Sequence, residues 1–302
     1  MADTSQGVEN PNQLGSSDVT AVIVSYNVSD LLIACIDSLR ADGVENIVVV
    51  DNASSDDSVS AVRDHDPRVE VIALKRNIGF AGAANRGVAQ TSTPYVAVLN
   101  PDLLLESPVC KVLVESLMRD PGLGLVGPRI TTPDGVLYPS VRRFPDLVDA
   151  AGHAFLHFLW PSNPFSKRYR MLDWDHERPA DVDWVAGTFM MVRREAWDAI
   201  GGFDESFFMY LEDVDLCRRL HEVGWRVGYD PAATVVHVIG CSTDQTPYRM
   251  IAIHHSSLWH YALKTTTGFK RLALPLVGVA LAVRVVLAWI QRAARRRPHA
   301  SA

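Results

Sequence analysis

Residues 19–51 read VTAVIVSYNVSDLLIACIDSLRADGVENIVVVD, which sets a strand, a helix and a second strand in one continuous stretch. Val19–Ser25 and Asn46–Val50 are short, β-branched and apolar throughout, the pattern of strands buried on both faces. Between them, Ser29 is placed to cap a helix running to Leu39. Asp51 closes the second strand. Outward from this unit the alternation continues. A helix is expected near Asp56–Arg63, a strand at Val69–Leu74, and a small-residue helix at Ala81–Ala89. Tyr95–Leu99 (YVAVL) is a fourth strand and Pro108–Met118 a further helix. Strands alternating with helices predict an α/β fold, a mainly parallel sheet with helices on both faces. Ligands of such sheets bind beyond the carboxyl ends of the strands. The polar residues there are Tyr26-Asn27, Asp51-Asn52 and Asn100-Pro101-Asp102, and one cleft should gather them.

The second half is less regular. Residues 131–182 are rich in Pro, Trp and His and predict long loops and short helices over the cleft. Val182–Val192 (VDWVAGTFMMV) reads as a strand with a glycine break. Glu212–Val223 reads as a helix that starts acidic, and Arg226–Tyr229 and Thr234–Val238 as two short strands. Residues 1–18 are polar and read as a disordered leader, without the apolar segment of a signal peptide.

Charge divides the 302-residue chain. The net charge is −6, yet from Gln245 onward there are nine Lys/Arg and no Asp or Glu, leaving 20 basic against 35 acidic residues before that point. An acidic body argues against general nucleic-acid binding, which needs a basic surface. The basic tail holds a 19-residue apolar run, residues 272–290, interrupted by Arg284 and followed by Arg292, Arg295, Arg296 and Arg297. A span needs about 20 apolar residues, and a central arginine costs roughly 2.5–3.5 kcal/mol on insertion scales. A helix lying in the membrane interface is therefore expected over a clean span. The alternative is an apolar helix docked on the body or on a second copy in a homodimer. Cys35, Cys110, Cys217 and Cys241 form no C-x-x-C pair and read as reduced, buried thiols.

Each candidate site has a plainer reading beside it. Asp51 could accept hydrogen bonds from a base or ribose, or simply form an Asx turn. Gly79 and Gly82 precede a small-residue helix whose amides suit a diphosphate, but tight helix–sheet packing also selects glycine. Asp102 at a strand end could hold Mg²⁺ or Mn²⁺ bridging two phosphates, or sit in a proline turn. Glu212-Asp213-Val214-Asp215 puts three carboxylates on one helix start, where the helix dipole alone would favour them. Glu212 and Asp215 share a face at i, i+3, with Asp213 pointing elsewhere. One of the three could serve as a base while its neighbours bind acceptor or fix the loop. A lone strand histidine such as His237 is usually structural.

The order of these elements is more specific than any one of them. Strand–Tyr-Asn, strand–Asp-Asn-Ala-Ser, Asn-x-Gly-x₅-Asn-x-Gly, Asn-Pro-Asp, Gly-Thr-Phe, Glu-Asp-x-Asp-Leu and a final His resemble the family 2 glycosyltransferases of the GT-A fold, and within them the rhamnosyltransferase-type branch. The resemblance covers roughly residues 19–264. It implies a nucleotide-binding half (19–130) and an acceptor and catalytic half (131–264); residues 265–302 read, from their own composition, as a separate membrane-associating tail. Residue by residue, Ser25, Tyr26 and Asn27 would line the nucleotide pocket and Asp51 would contact the base. Asn77, Gly79 and Asn85 would support the nucleotide loop. Asp102 matches the last acid of the family's D-x-D metal motif, with Asn100 where the first acid stands. His237 matches a histidine that joins the metal in some relatives. Asp213 matches the catalytic base beside Glu212, and Trp184 and Gly187 would shape the acceptor and sugar pockets. The resemblance implies inverting transfer from a nucleotide-diphosphate sugar, foremost dTDP-rhamnose, to a polyprenyl-diphosphate-linked or polysaccharide hydroxyl, at the cytoplasmic face of the cell membrane. Another donor (galactofuranose, GlcNAc or glucose) and a non-catalytic nucleotide-sugar binder are the alternatives. A sugar nucleotidyltransferase would need G-x-G-x-R after the first strand, where Ser25-Tyr26-Asn27 stands.

Overall fold

The computed structural model describes residues 18–106, 108–144, 174–238 and 246–295. The expected leader, Cys241 and most of the irregular region 131–182 lie outside the described residues. Strands β1 (Val19–Ser25), β2 (Asn46–Asp51), β3 (Glu70–Ala73) and β4 (Tyr95–Leu99) alternate with α1 (Ser29–Ala41), α2 (Ser58–His65) and α3 (Gly79–Val88). All seven residues of β1 are buried. Its alternate side chains feed two cores, Val22 and Val24 on one face and Ala21 and Ile23 on the other. That two-sided burial is why the run carries no polar alternation.

The sheet order is β3-β2-β1-β4, all parallel, continued by β11 (Phe189–Arg193), β6 (Leu123–Thr131), β12 (Arg226–His237) and β5 (Leu103–Leu105). The direction of winding reverses between β1 and β4, the switch point where open α/β sheets bind ligands. Beyond it β11 runs antiparallel to both β4 and β6. Short strands β7 (Leu137–Tyr138) and β9 (Ala180–Val182) join the sheet, and β8 (Val141–Arg142) pairs with β10 (Trp184–Val185). Helix α4 (Val109–Arg119) follows β5 and starts on a borrowed cap. Both carboxylate oxygens of Asp42 accept its first amides, from Val109 at 2.6 Å and Cys110 at 2.8 Å. In the second half come α5 (Arg194–Ile200), α6 (Glu212–Glu222), α7 (Pro247–Thr265) and α8 (Leu274–Arg295).

Three local expectations are corrected. Ser29 is not the cap of α1; Val28 is, and the Ser29 amide is met by Asp56 Oδ2 at 3.4 Å. The two short strands at 226–238 are one strand, because a register shift between Asp230 and Thr234 absorbs Pro231 without ending the pairing. The expected strand 182–192 divides into β9, β10 and β11. Cys35, Cys110 and Cys217 are buried free thiols; burial raises the Cys35 thiol to about 12, which makes it inert.

Candidate active site

A cleft of about 410 Å³ opens at the carboxyl ends of β1 and β4. Ser25 and Tyr26 enter from β1, and Asn100, Pro101 and Asp102 from the turn after β4. Because β11 is antiparallel to β4, the segment before it lies at the same end, and the Asn100 amide donates to Thr188 O at 3.0 Å. This brings Trp184 and Gly187 to the cleft. Antiparallel pairing of β12 with β5 sets His237 opposite Leu103, so His237 stands beside Asp102. The two side chains approach to 3.3 Å, His237 Nε2 to Asp102 Oδ1. That oxygen is buried and accepts no hydrogen bond, and His237 Nδ1 is likewise without one. Among the described residues, no three His, Cys, Asp or Glu side chains cluster to form a complete metal cage.

The acidic start of α6 forms the opposite wall. Tyr210 and Leu211 both adopt left-handed backbone, φ +69° and +68°. This turn delivers Glu212 and Asp213 together into the cleft. Asp213 Oδ2 accepts the Gly187 amide at 2.9 Å and Oδ1 the Val214 amide at 2.8 Å. Glu212 is buried, and its Oε2 has no hydrogen-bond partner. Asp215 faces away from the cleft, wholly buried against Arg219 and Lys264. The expected face shared by Glu212 and Asp215, with Asp213 apart, is therefore corrected. The left-handed entry turns the first two helical residues together toward the cleft. Burial raises the Glu212 carboxyl well above the usual range, and the neighbouring Asp213 charge adds to it. Burial also raises Asp213, while the Gly187 and Val214 amides and the Arg142 charge pull it back.

Ten of the expected residues thus line one cleft: Ser25, Tyr26, Asn77, Asn100, Asp102, Trp184, Gly187, Glu212, Asp213 and His237. Four do not. Gly79 is a packing residue: at φ +83°, an added Cβ would meet the Phe208 carbonyl oxygen at only 2.1 Å. The amides at that helix start are also already engaged, Ile78 by Asn52, Gly79 by Asn77 and Phe80 by Phe208. They are not open to a diphosphate. Asn85 points the other way and ties α3 to Phe203, accepting its amide and donating to its carbonyl, both at 2.9 Å. Asn27 accepts the Ser55 amide at 2.7 Å and Asp51 Oδ2 the Ser54 amide at 3.0 Å, so both brace the turn after β2. Arg142, Arg249 and His254 were missed by sequence reasoning and line the cleft as well. Arg142 lies over the Trp184 ring at 5.2 Å and Arg249 over the Phe208 ring at 5.5 Å. Burial, with His255 alongside, lowers His254 to about 4, so it is neutral at pH 7.

A four-stranded parallel unit with an antiparallel extension, and a carboxylate-rich cleft at its switch point, define the GT-A class. A solved mannosyltransferase from Pyrobaculum calidifontis, in complex with GDP-Man and Mn²⁺, has the same fold at TM-score 0.56 and 18% identity, over 90% of this chain and 75% of its own. The family model described as Glycosyl transferase family 2 matches residues 20–201. Among curated relatives, the N-acetylglucosaminyl-diphospho-decaprenol L-rhamnosyltransferase of Mycobacterium tuberculosis (strain H37Rv) is 35% identical over 78% of this chain and 80% of its own. Rhamnosyltransferase WbbL of Escherichia coli (strain K12) is 26% identical over 72% and 83%. The chain belongs to glycosyltransferase family 2 and is a glycosyltransferase similar to its rhamnosyltransferases.

Proposed function

We propose that this enzyme transfers a sugar, L-rhamnose foremost, from a nucleotide-diphosphate donor to a hydroxyl of a lipid-linked or polysaccharide acceptor, with inversion. The observation that carries the chemistry is Asp213, held in the cleft by two backbone amides at 2.9 and 2.8 Å. Those amides stabilise its ionised form, while nothing comparable reaches Glu212 Oε2. Of these two adjacent carboxylates, Asp213 is then the ionised base and Glu212 the neutral hydrogen-bond donor. The acceptor oxygen attacks the anomeric carbon from the face opposite the nucleotide diphosphate. Asp213 takes the hydroxyl proton, the new C–O bond forms, and the bond to the diphosphate breaks with its electron pair. One displacement inverts the centre. The two M. tuberculosis and E. coli relatives named for rhamnose support that donor, and the first supports a lipid-linked acceptor.

Asp102 and His237 fit a divalent cation, Mg²⁺ or Mn²⁺: a buried carboxylate oxygen with no hydrogen bond stands 3.3 Å from an imidazole nitrogen. With two protein ligands only, diphosphate oxygens and water would complete the coordination. A bound cation would offset the charge growing on the leaving diphosphate. Arg142 lines the same cleft and adds positive charge there.

A panel of nucleotide sugars, each offered with a polyprenyl-diphosphate-linked acceptor, tests the assignment. Transfer from dTDP-rhamnose above all other donors is expected, and exclusive use of another sugar would overturn the rhamnose reading. The pH profile tests the base. Asp213 works only when ionised and burial favours its protonated form, so kcat is expected to fall as pH drops through the raised pKa of the pair. The acid limb should lie above the value of about 4 of an ordinary Asp. A limb at or below that value would show that the working base is not this buried pair.

The tail supports placement at a membrane. The helical segment Gly268–Ala293 is long and apolar enough to cross a bilayer, and no residue of its most apolar window is buried. One side docks on α7, where a Cβ added at Gly278 would stand 3.3 Å from the Trp259 ring and Trp289 Nε1 donates to Tyr248 O at 3.2 Å. Phe269, Leu272, Leu276, Val279, Val283 and Ile290 remain exposed. Apolar burial at an interface, with about 1 kcal/mol per arginine near anionic lipid, would hold this helix at the cytoplasmic surface. Deleting residues 265–302 is expected to move the protein to the soluble fraction and to reduce transfer to a long polyprenyl acceptor more than to a short one. Continued sedimentation with membranes would place the anchor elsewhere. Unfolding would make the segment a core or dimer helix.

A further inference from the structure

We infer that Lys264 and Ser257 of α7 are positioning residues that hold the turn presenting Asp213 to the acceptor hydroxyl. The inference rests on the reading of Asp213 as the base. Tyr210 and Leu211 are consecutive non-glycine residues in left-handed backbone. Such a turn is sparsely populated and persists only where its surroundings over-determine it. The surroundings that do so come from α7, beyond the sheet in sequence. Ser257 is buried, and its hydroxyl donates to Met209 O at 2.8 Å, directly before the strained pair. Lys264 Nζ reaches Asp204 Oδ2 at 2.6 Å and Asp215 Oδ1 at 2.7 Å, so one ammonium joins the loop before the turn to the helix after it. Against the upward push of burial, Lys264 and Ser206 hold Asp204 below the usual carboxylate range. His260 adds a contact to Ser206 Oγ at 2.7 Å.

Asp215 is the hub of this clasp. It is fully buried, and its second oxygen accepts Arg219 Nε at 2.7 Å. Arg219 in turn donates to Ile200 O at 2.8 Å and Gly202 O at 2.7 Å. Two cations from two helices thus converge on a carboxylate two residues from Asp213. Neither Lys264 nor Ser257 lines the cleft. Their influence on turnover must pass through the turn, and a base displaced by about 1 Å can cost on the order of 10²-fold in rate.

Steady-state kinetics on the full-length Lys264→Met, Lys264→Arg, Ser257→Ala and Asp213→Asn proteins test this. Rates are referred to binding-competent sites, counted by nucleotide-diphosphate titration, and melting temperatures are measured alongside. Lys264→Met is expected to lower kcat by about 10–100-fold with the donor KM within about threefold of wild type. Lys264→Arg keeps the charge and should restore most of the rate. Ser257→Ala removes one hydrogen bond, and should lower kcat by roughly 3–10-fold with little change in melting temperature. If Lys264→Met does not fold, Ser257→Ala and Lys264→Arg decide. Wild-type kcat per competent site in both Lys264→Met and Ser257→Ala, with only melting temperature lowered, would overturn the positioning role. Wild-type turnover in Asp213→Asn is a different result and overturns the base assignment itself.

Discussion

Asp213→Asn is expected to lower kcat by about 10²–10⁴, the usual worth of a positioned general base, while donor affinity stays near wild type. The amide has nearly the shape of the carboxylate, but its one oxygen can keep only one of the Gly187 and Val214 amide bonds, so melting temperature is measured alongside. The amide cannot accept the acceptor's proton, so the loss falls on the chemical step. Glu212→Gln is the control that makes the result specific. Glu212 is the neutral member of the pair in this account, and a glutamine reproduces a neutral hydrogen-bonding side chain. Its kcat should fall by no more than about tenfold. Steady-state kinetics with nucleotide-diphosphate binding on both variants separates the roles. A large loss in Glu212→Gln with little in Asp213→Asn would exchange them.

Loss of transfer on chelation of divalent cations is the second large effect expected. Excess chelator is expected to abolish transfer, and Mg²⁺ or Mn²⁺ to restore it. Asp102→Ala should weaken metal-dependent donor binding and lower turnover on the order of 10²-fold, because the leaving diphosphate then gathers charge with less compensation. Asn100 on the same turn is neutral, so Asp102 would be the carboxylate holding the cation and release should be easy. Isothermal titration of donor with and without metal measures the coupling. Full activity in excess chelator would remove Asp102 and His237 from this role, leaving their 3.3 Å approach as a contact between two buried side chains.

The parallel half of the fold was legible because burial on both faces writes itself as uninterrupted β-branched runs. Tyr95–Leu99 coincides with β4, and Val19–Ser25 with β1. Polar residues at the ends of β1 and β4 then located the cleft, since sheet topology brings those ends together, although Asn27 and Asp51 turn to brace a neighbouring loop. Legibility failed where a residue's partner is distant in sequence. Asn85 and Gly79 look like nucleotide-loop residues, but their neighbours are Phe203 and Phe208, more than 110 positions away for Asn85. Nothing local encodes that packing. Arg249 and His254 reach the cleft from α7, whose weak amphipathic pattern gives no sign of which side meets the site. The clasp on Asp215 was hidden for the same reason: an acidic helix start satisfies the helix dipole, and only the fold shows which of its carboxylates is buried against cations.

The central claim, single-displacement sugar transfer with Asp213 as the one base, is tested most directly by the anomeric configuration of the product. The donor that turns over is incubated with a lipid-linked acceptor, and the new linkage is assigned by NMR from its one-bond C1–H1 coupling. An anomeric configuration opposite to that of the donor is expected. Retention would require a second displacement through a covalent intermediate or a front-face path, and would contradict the account.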